Sequence, residues 1–174
     1  MEIKKSYQKK RTGPQPAKGP ECVYSYAIWY LGRFGENSEK QIRDKMKNKT
    51  DNQEWIDIAM NKIIDQGYQS DSRYAEMIVR KGLGSKAWGK SRIKNELRSK
   101  GILTDTIEDA MELLNDDDPL SRAHEALGKK FRGKEIVEKK DYGKATRFLS
   151  VHGFGFDHIR SAIKLHNENL LEIE

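Results

Sequence analysis

The chain has 174 residues, 36% of them hydrophobic and 34% charged, with 33 Lys and Arg against 27 Asp and Glu for a formal net charge of +6. An apolar fraction below the usual ~45–50% suits several small cores in an elongated array better than one deep core. No run approaches the ~18 apolar residues of a membrane span, and the basic N-terminus leads into Gly and Pro instead of an apolar signal segment, so the expectation is a cytoplasmic monomer with no membrane partner. The single cysteine, Cys22, cannot form an internal disulfide or build a thiolate metal site alone.

Residues 1–20 hold Lys4, Lys5, Lys9, Lys10, Arg11 and Lys18 against Glu2, together with Pro14, Pro16 and Pro20. They read as a basic flexible tail. The rest of the chain contains only Pro119, no sustained alternation of period two, and many of the straight-chain residues that lose least entropy in a helix. Hydrophobic positions recur instead at three and four, so the body is predicted to be all-α.

Aligning the chain on its alanines shows an internal repeat. First helices place Ala27, Tyr30 and Leu31, then Ala75, Ile78 and Val79, then Ala123, Ala126 and Leu127, each on one helical face. Second helices follow with Ile42 and Met46, Ile93 and Leu97, Ala145 and Leu149. Third helices give Ile56, Ala59 and Met60, then Ile107, Ala110 and Met111, then Ile159, Ala162 and Ile163. The expectation is a tandem array of three three-helix repeats over residues 21–70, 71–115 and 116–174, forming an elongated curved rod in which stacking completes each small core. Ser38, Asp71, Thr104 and the run Asp116 to Asp118 sit where N-caps are needed, with Pro119 at a first helical position. Gly67, Gly101 and Gly153 sit where a left-handed residue would close a helix. The tryptophans and tyrosines read as core and not as recognition groups, since Trp55, Tyr68 and Tyr74 lie beside apolar helix positions.

Charge is segregated along the chain. Residues 80–100 carry eight basic side chains against Glu96 alone, residues 101–128 carry eight acids against Arg122 alone, and residues 129–147 are basic again. Such bands either pair with one another or form a functional basic surface. On the second helix of the middle unit, Lys90, Lys94 and Arg98 fall at i, i+4 and i+8 beside the apolar Ile93 and Leu97, a ladder suited to phosphates or to an acidic protein groove. The candidate partner-binding or nucleic-acid-binding residues are Lys86, Lys90, Arg92, Lys94, Arg98 and Lys100. Arg92 directly precedes Ile93 and has a second reading, as an internal partner of neighbouring acids.

Other patterns read as structural. Gly84 to Ser91, GSKAWGKS, satisfies the phosphate-loop spacing G-x-x-x-x-G-K-[ST]. A true phosphate loop follows a buried strand. The preceding Tyr74 to Lys81 instead carries Glu76, Arg80 and Lys81 in the register of a first helix. His124, His152, His158 and His166 lack metal-ligand spacing, the Asp116 to Asp118 run lacks the loop of a calcium site, and no residue set has the context of nucleophilic catalysis. The expectation is no enzymatic site, no metal and no cofactor.

The residues that open and close these units resemble a known family. Gly67 to Ala75 (GYQSDSRYA), Gly89 to Ile102 (GKSRIKNELRSKGI), Phe148 to Ile159 (FLSVHGFGFDHI), and the opening stretches Tyr26 to Arg33 and Ser38 to Met46 are together similar to the RecX family of recombination regulators, over about residues 22–168. The resemblance implies an all-helical protein of tandem three-helix repeats that binds the RecA recombinase filament on DNA, inhibits its ATP hydrolysis and strand exchange, and has no enzymatic activity. Phe34 and His152 depart from it, standing where the family more often has a basic residue, and the N-terminal tail is additional. A different class of reading stays open beside it: direct binding of single- or double-stranded DNA through the tail and the basic surface.

Overall fold

The computed structural model describes residues 16–112 and 118–171, and among them the chain forms nine α-helices and no strand. Most of the expected basic tail, residues 1–15, lies outside the described residues, as do Asp116 and Asp117. The chain divides into two compact units, Met1–Gln69 and Ser70–Glu174.

The first unit contains α1 (Pro20–Phe34), α2 (Glu39–Met46) and α3 (Gln53–Asp65). Helix α1 starts on Pro20, whose missing amide hydrogen costs nothing at the first helical position, and keeps Glu21 in its first turn and Arg33 in its last. Ser38 opens α2 with a reciprocal cap: its Oγ accepts from the Gln41 amide at 3.3 Å, and Gln41 Oε1 accepts from the Ser38 amide at 3.1 Å. Asn52 caps α3 by accepting from the Trp55 amide. Val23, Ala27, Ile42, Met46, Ile56, Ala59, Met60 and Ile63 make a single core. The loop between α1 and α2 is closed by buried amides, Asn37 donating to the Gly35 carbonyl at 2.8 Å and Gln69 to the Asn37 carbonyl at 3.3 Å. Arg43 ties α2 to α3 by binding Glu39 at 2.6 Å and Asp57 at 2.5 Å, and the hydrogen bond from Arg43 holds the Asp57 carboxyl below its ordinary range.

The second unit contains α4 (Asp71–Leu83), α5 (Lys90–Ser99), α6 (Thr104–Met111), α7 (Pro119–Phe131), α8 (Lys139–Val151) and α9 (Phe156–Leu171). Tyr74, Ala75, Ile78, Val79, Ile93, Leu97, Ile102, Ile107, Ala110 and Met111 form one cluster between α4, α5 and α6. Ala123, Ala126, Leu127, Ile136, Ala145, Leu149, Phe154, Ile159, Ala162 and Ile163 form a second between α7, α8 and α9. The apolar positions read from the sequence are therefore buried, except that Tyr30 and Leu31 on α1 and Trp55 on α3 are half-buried.

The structure departs from the sequence expectations at three helix ends. The cap of α4 is Ser70, whose Oγ accepts from the Arg73 amide; Asp71 is the first helical residue, where its charge still opposes the helix dipole. Helix α6 is preceded by Leu103 without a side-chain cap, and Thr104 is already helical. Tyr68 is 53% exposed, because it falls just after the left-handed Gly67 that ends α3 and not on a helical face. Asp118, by contrast, caps α7 as expected, accepting from the amides of Leu120 and Ser121.

What joins the two clusters of the second unit is a backbone contact. The Gly89 amide donates to the His152 carbonyl at 2.7 Å. A Cβ on Gly89 would lie 2.3 Å from the Gly153 carbonyl oxygen, and one on Gly153 would lie 2.4 Å from the Arg92 nitrogen. Gly153 also holds φ at +84°, a conformation that favours glycine. Ala87 of the α4–α5 connection is buried within the α7–α9 cluster.

Gly153→Ala, which combines a left-handed backbone with a clash against Arg92, is expected to cost on the order of 3 kcal/mol in urea unfolding, whereas Gly143→Ala, in open space within α8, should stabilise by about 0.5–1 kcal/mol. His124 Nε2 lies 3.4 Å from the Asn169 amide, and its ring centroid is 6.1 Å from that of His166. Burial, with a smaller effect of His166, lowers its pKa from 6.5, so folding favours the neutral ring. The unfolded chain then binds more protons, and the stability His124 contributes is whole above 6.5 and is lost as pH falls toward the lowered folded value. Thermal unfolding of the parent should drop more steeply than that of His124→Gln between about pH 7.5 and about pH 5.5.

Candidate partner-binding surface

The phosphate-loop-like run Gly84 to Ser91 is a docking element. It follows helix α4, its Ala87 enters the neighbouring core, and its Gly89 provides the close backbone approach to Gly153. Two arginines brace it. Arg122 of α7 donates to the Trp88 carbonyl and lies over the Phe154 ring, 5.7 Å from its centroid. Arg92 of α5 donates to the Val151 carbonyl at 2.7 Å and stacks on Trp88 at 4.7 Å. Its Nε is buried without a hydrogen-bond acceptor.

The six candidate cations thus separate by geometry. Arg92 points into the seam. Lys94 is half-buried and binds both carboxylate oxygens of Glu108 on α6, at 2.8 and 2.9 Å. Lys100 is half-buried, 3.3 Å from Glu96 one turn back. Lys86, Lys90 and Arg98 are exposed. Arg98 reaches the side-chain oxygen of Asn95 at 3.3 Å, a neutral partner that leaves its charge in place. Of the i, i+4, i+8 ladder, the two ends face water and the middle rung is neutralised by the acidic band.

Three of the hollows lie against the seam. One, of about 380 Å³, is lined by Gly89, Lys90, Ser91, Pro119, Phe154 and His158 among others. A second, of about 310 Å³, is lined by Ser91, Arg92, Val151 and Gly153 among others. A third, of about 220 Å³, brings Lys86 beside Lys129, Lys130, Phe148 and His152. Lys129 pairs with Glu125 at 2.6 Å, and Lys130 lies 5.7 Å from the Phe148 centroid. These two lysines belong to the second basic band but were not singled out in sequence, because nothing local shows that α7 ends beside the α4–α5 connection. His152 lies against Phe148, ring centroids 4.1 Å apart, and its Nδ1 is 2.9 Å from the Phe148 carbonyl. No group of three or more His, Cys, Asp or Glu is placed to hold a metal among the described residues.

The expectation that the tryptophans and tyrosines are core fails on α1, which carries an outward aromatic face. Trp29 is 56% and Phe34 58% exposed, with Tyr26 and Tyr30 beside them. Periodicity does not separate this face from the core, since Tyr30 lies three and Phe34 seven residues after the buried Ala27, on the side of the helix that spacing assigns to the interior.

Helices in tandem triplets, closed by glycines and carrying cations around a rigid seam, define an all-α repeat protein. Residues 70–111 match the family model described as RecX, second three-helix domain. The chain is 34% identical over 137 residues to the regulatory protein RecX of Vibrio vulnificus, covering 79% of this chain and 88% of that protein. It is 36% identical over 128 residues to that of Photobacterium profundum, covering 74% of this chain but only 47% of the longer relative. The crystal structure of RecX from Lactobacillus salivarius superimposes with a TM-score of 0.67 at 26% identity, covering 86% of this chain and 97% of that one. This chain belongs to the RecX family, whose relatives are regulatory proteins by name.

Arg92→Ala removes a charged hydrogen bond and a cation–π stack, and should lower stability in urea by about 2 kcal/mol. Arg92→Lys should recover less than half of the loss, because a point charge cannot both donate to Val151 and lie flat on Trp88.

Proposed function

We propose that the protein is a non-enzymatic regulator of homologous recombination that binds the RecA filament on DNA and inhibits its ATP hydrolysis and strand exchange. Family membership over 88% of the Vibrio vulnificus relative carries this reading. The charge geometry supports it: Lys86, Lys90 and Arg98 stand outward on elements whose positions are set by the seam. An exposed lysine contributes little alone. Several on one rigid body gain together, since each contact made raises the effective concentration of the next. The mechanism is occlusion: a body seated across neighbouring protomers blocks strand exchange or filament growth without any chemistry on its own residues. The partner patch should be acidic, and charge complementarity should act chiefly on the rate of encounter. Direct nucleic-acid binding through the same cations is the competing reading, and it requires bare DNA to be at least as good a ligand as the filament.

The experiment is a titration of labelled protein, at physiological salt, with single-stranded DNA alone and with the same DNA coated by RecA in a non-hydrolysable nucleotide. Coated DNA should bind about tenfold or more tightly than bare DNA. Combined reversal of Lys86, Lys90 and Arg98 to Glu should weaken binding to the coated form and relieve inhibition of ATP hydrolysis. Equal or tighter binding to bare DNA, lost on the same reversal, would overturn the reading in favour of a nucleic-acid binder.

A further inference from the structure

The first unit carries a surface that the filament reading leaves unused. Four rings on α1 form one continuous face: Tyr26 stacks on Trp29 at 6.0 Å with 24° between planes, Trp29 meets Phe34 edge-on at 6.4 Å, and Tyr30 lies 4.7 Å from Phe34. Cations sit at the margins. Lys49 Nζ is 4.6 Å from the Tyr26 centroid, Lys45 Nζ is 5.8 Å from that of Tyr30, and Arg33 Cζ is 5.9 Å from that of Phe34. Trp29 and Phe34 are the two rings that open most to water. An apolar stripe built for a protein partner is ordinarily rimmed by mixed polar groups, whereas this one has Arg33, Lys45 and Lys49 set directly against its rings.

We propose that this face of α1 is a stacking platform for single-stranded DNA, with unpaired bases lying on Trp29 and Phe34 and adjacent phosphates meeting Arg33, Lys45 and Lys49. Every base has a π-face and every nucleotide a phosphate, so alternating rings and cations fit an unpaired strand without reading its sequence. A duplex keeps its bases stacked on each other and presents only phosphates to such a face. The choice of DNA over RNA rests on the proposed role beside a DNA-bound filament; the platform itself does not. Its cations are on the first unit and are separate residues from Lys86, Lys90 and Arg98, so the two surfaces can be disabled independently.

The test is anisotropy of a short labelled oligothymidylate titrated with the full chain, repeated with an oligouridylate and with a duplex. Trp29→Ala with Phe34→Ala should weaken oligothymidylate binding by about tenfold or more, in line with the usual contribution of base–aromatic stacking, and should leave duplex binding unchanged. Trp29→Phe, which keeps a ring, should retain most of the affinity. Lys45→Ala with Lys49→Ala should flatten the slope of log affinity against log salt by about 0.7 for each phosphate left without its cation. The aromatic double variant should still bind RecA-coated DNA through its other cations, so that loss of one activity without the other separates this inference from the filament reading. Unchanged binding of the double variant to oligothymidylate, an equal loss on duplex, or tighter binding of oligouridylate would each overturn it. So would a concentration-dependent dimer of the parent that the aromatic variant abolishes, which would make the face an interface between copies.

Discussion

Much of the second unit depends on two glycines whose backbones touch. Side chains can give a few tenths of an ångström, but the Gly89 and Gly153 positions face carbonyl and amide atoms that have nowhere to move. Because the Gly89 amide is also the donor to the His152 carbonyl, the same contact that forbids a side chain satisfies a backbone polar group. It sets where α5 begins, and so where Lys90, one residue on, is held. Ala87, two residues earlier, is drawn into the α7–α9 core, and Arg92 and Arg122 clamp either side through Val151 and Trp88. A run that resembles a phosphate cradle has its glycine and its helix start for a different reason: two helix junctions pass too close for anything but glycine.

The parts of this architecture that repeat locally were legible in the chain. A buried stripe at three and four residues is a statement about one helix and its own neighbours, and Ile42, Met46, Ile93, Leu97, Ala145 and Leu149 are all buried where periodicity places them. Closing glycines were legible for the same reason, as Gly67, Gly101 and Gly153 all take positive φ. The seam was not. No periodicity announces that Ala87 belongs to a core other than that of α4 and α5, or that Arg92 turns toward a carbonyl 59 residues away. The cap of α4 was displaced by one residue because Ser70 and Asp71 are both good caps, and only the register of the first turn decides between them.

Charge banding had two readings, and the geometry divides them residue by residue. Lys94 is spent within the molecule on Glu108, and Lys100 lies beside Glu96. Such exposed or half-exposed pairs hold helices in register at a contribution of about 0–1 kcal/mol each, so they are poor anchors for the fold yet sufficient to remove a charge from the outer field. Of the six candidate cations, Lys86 and Lys90 at the seam and Arg98 at the far end of α5 remain outward. A regulator that must bind and release benefits from this arrangement, because a few separated cations give fast encounter and affinity that depends on several being engaged together.

The aromatic face of α1 gains meaning beside the helix that shares its register. Forty-eight residues on from Tyr26, Trp29, Tyr30 and Phe34 lie Tyr74, Met77, Ile78 and Gly82 of α4. There Tyr74 and Ile78 are buried, and Gly82 is pressed against Ile93 and Trp88 so closely that a Cβ would come within 2.8 Å of the isoleucine. In α4 most of the face is therefore consumed by packing, Met77 staying exposed, and a residue the size of Phe34 would have no room at its end. In α1 the same register carries four rings, two of them more than half exposed. Leaving a large apolar side chain in water forgoes about 1.5–3 kcal/mol of burial per residue. A repeat built on one packing plan thus keeps large rings outward on its first helix and sets positive charge against them. That combination is unfavourable for folding and favourable for holding an anionic polymer with flat, exposed bases.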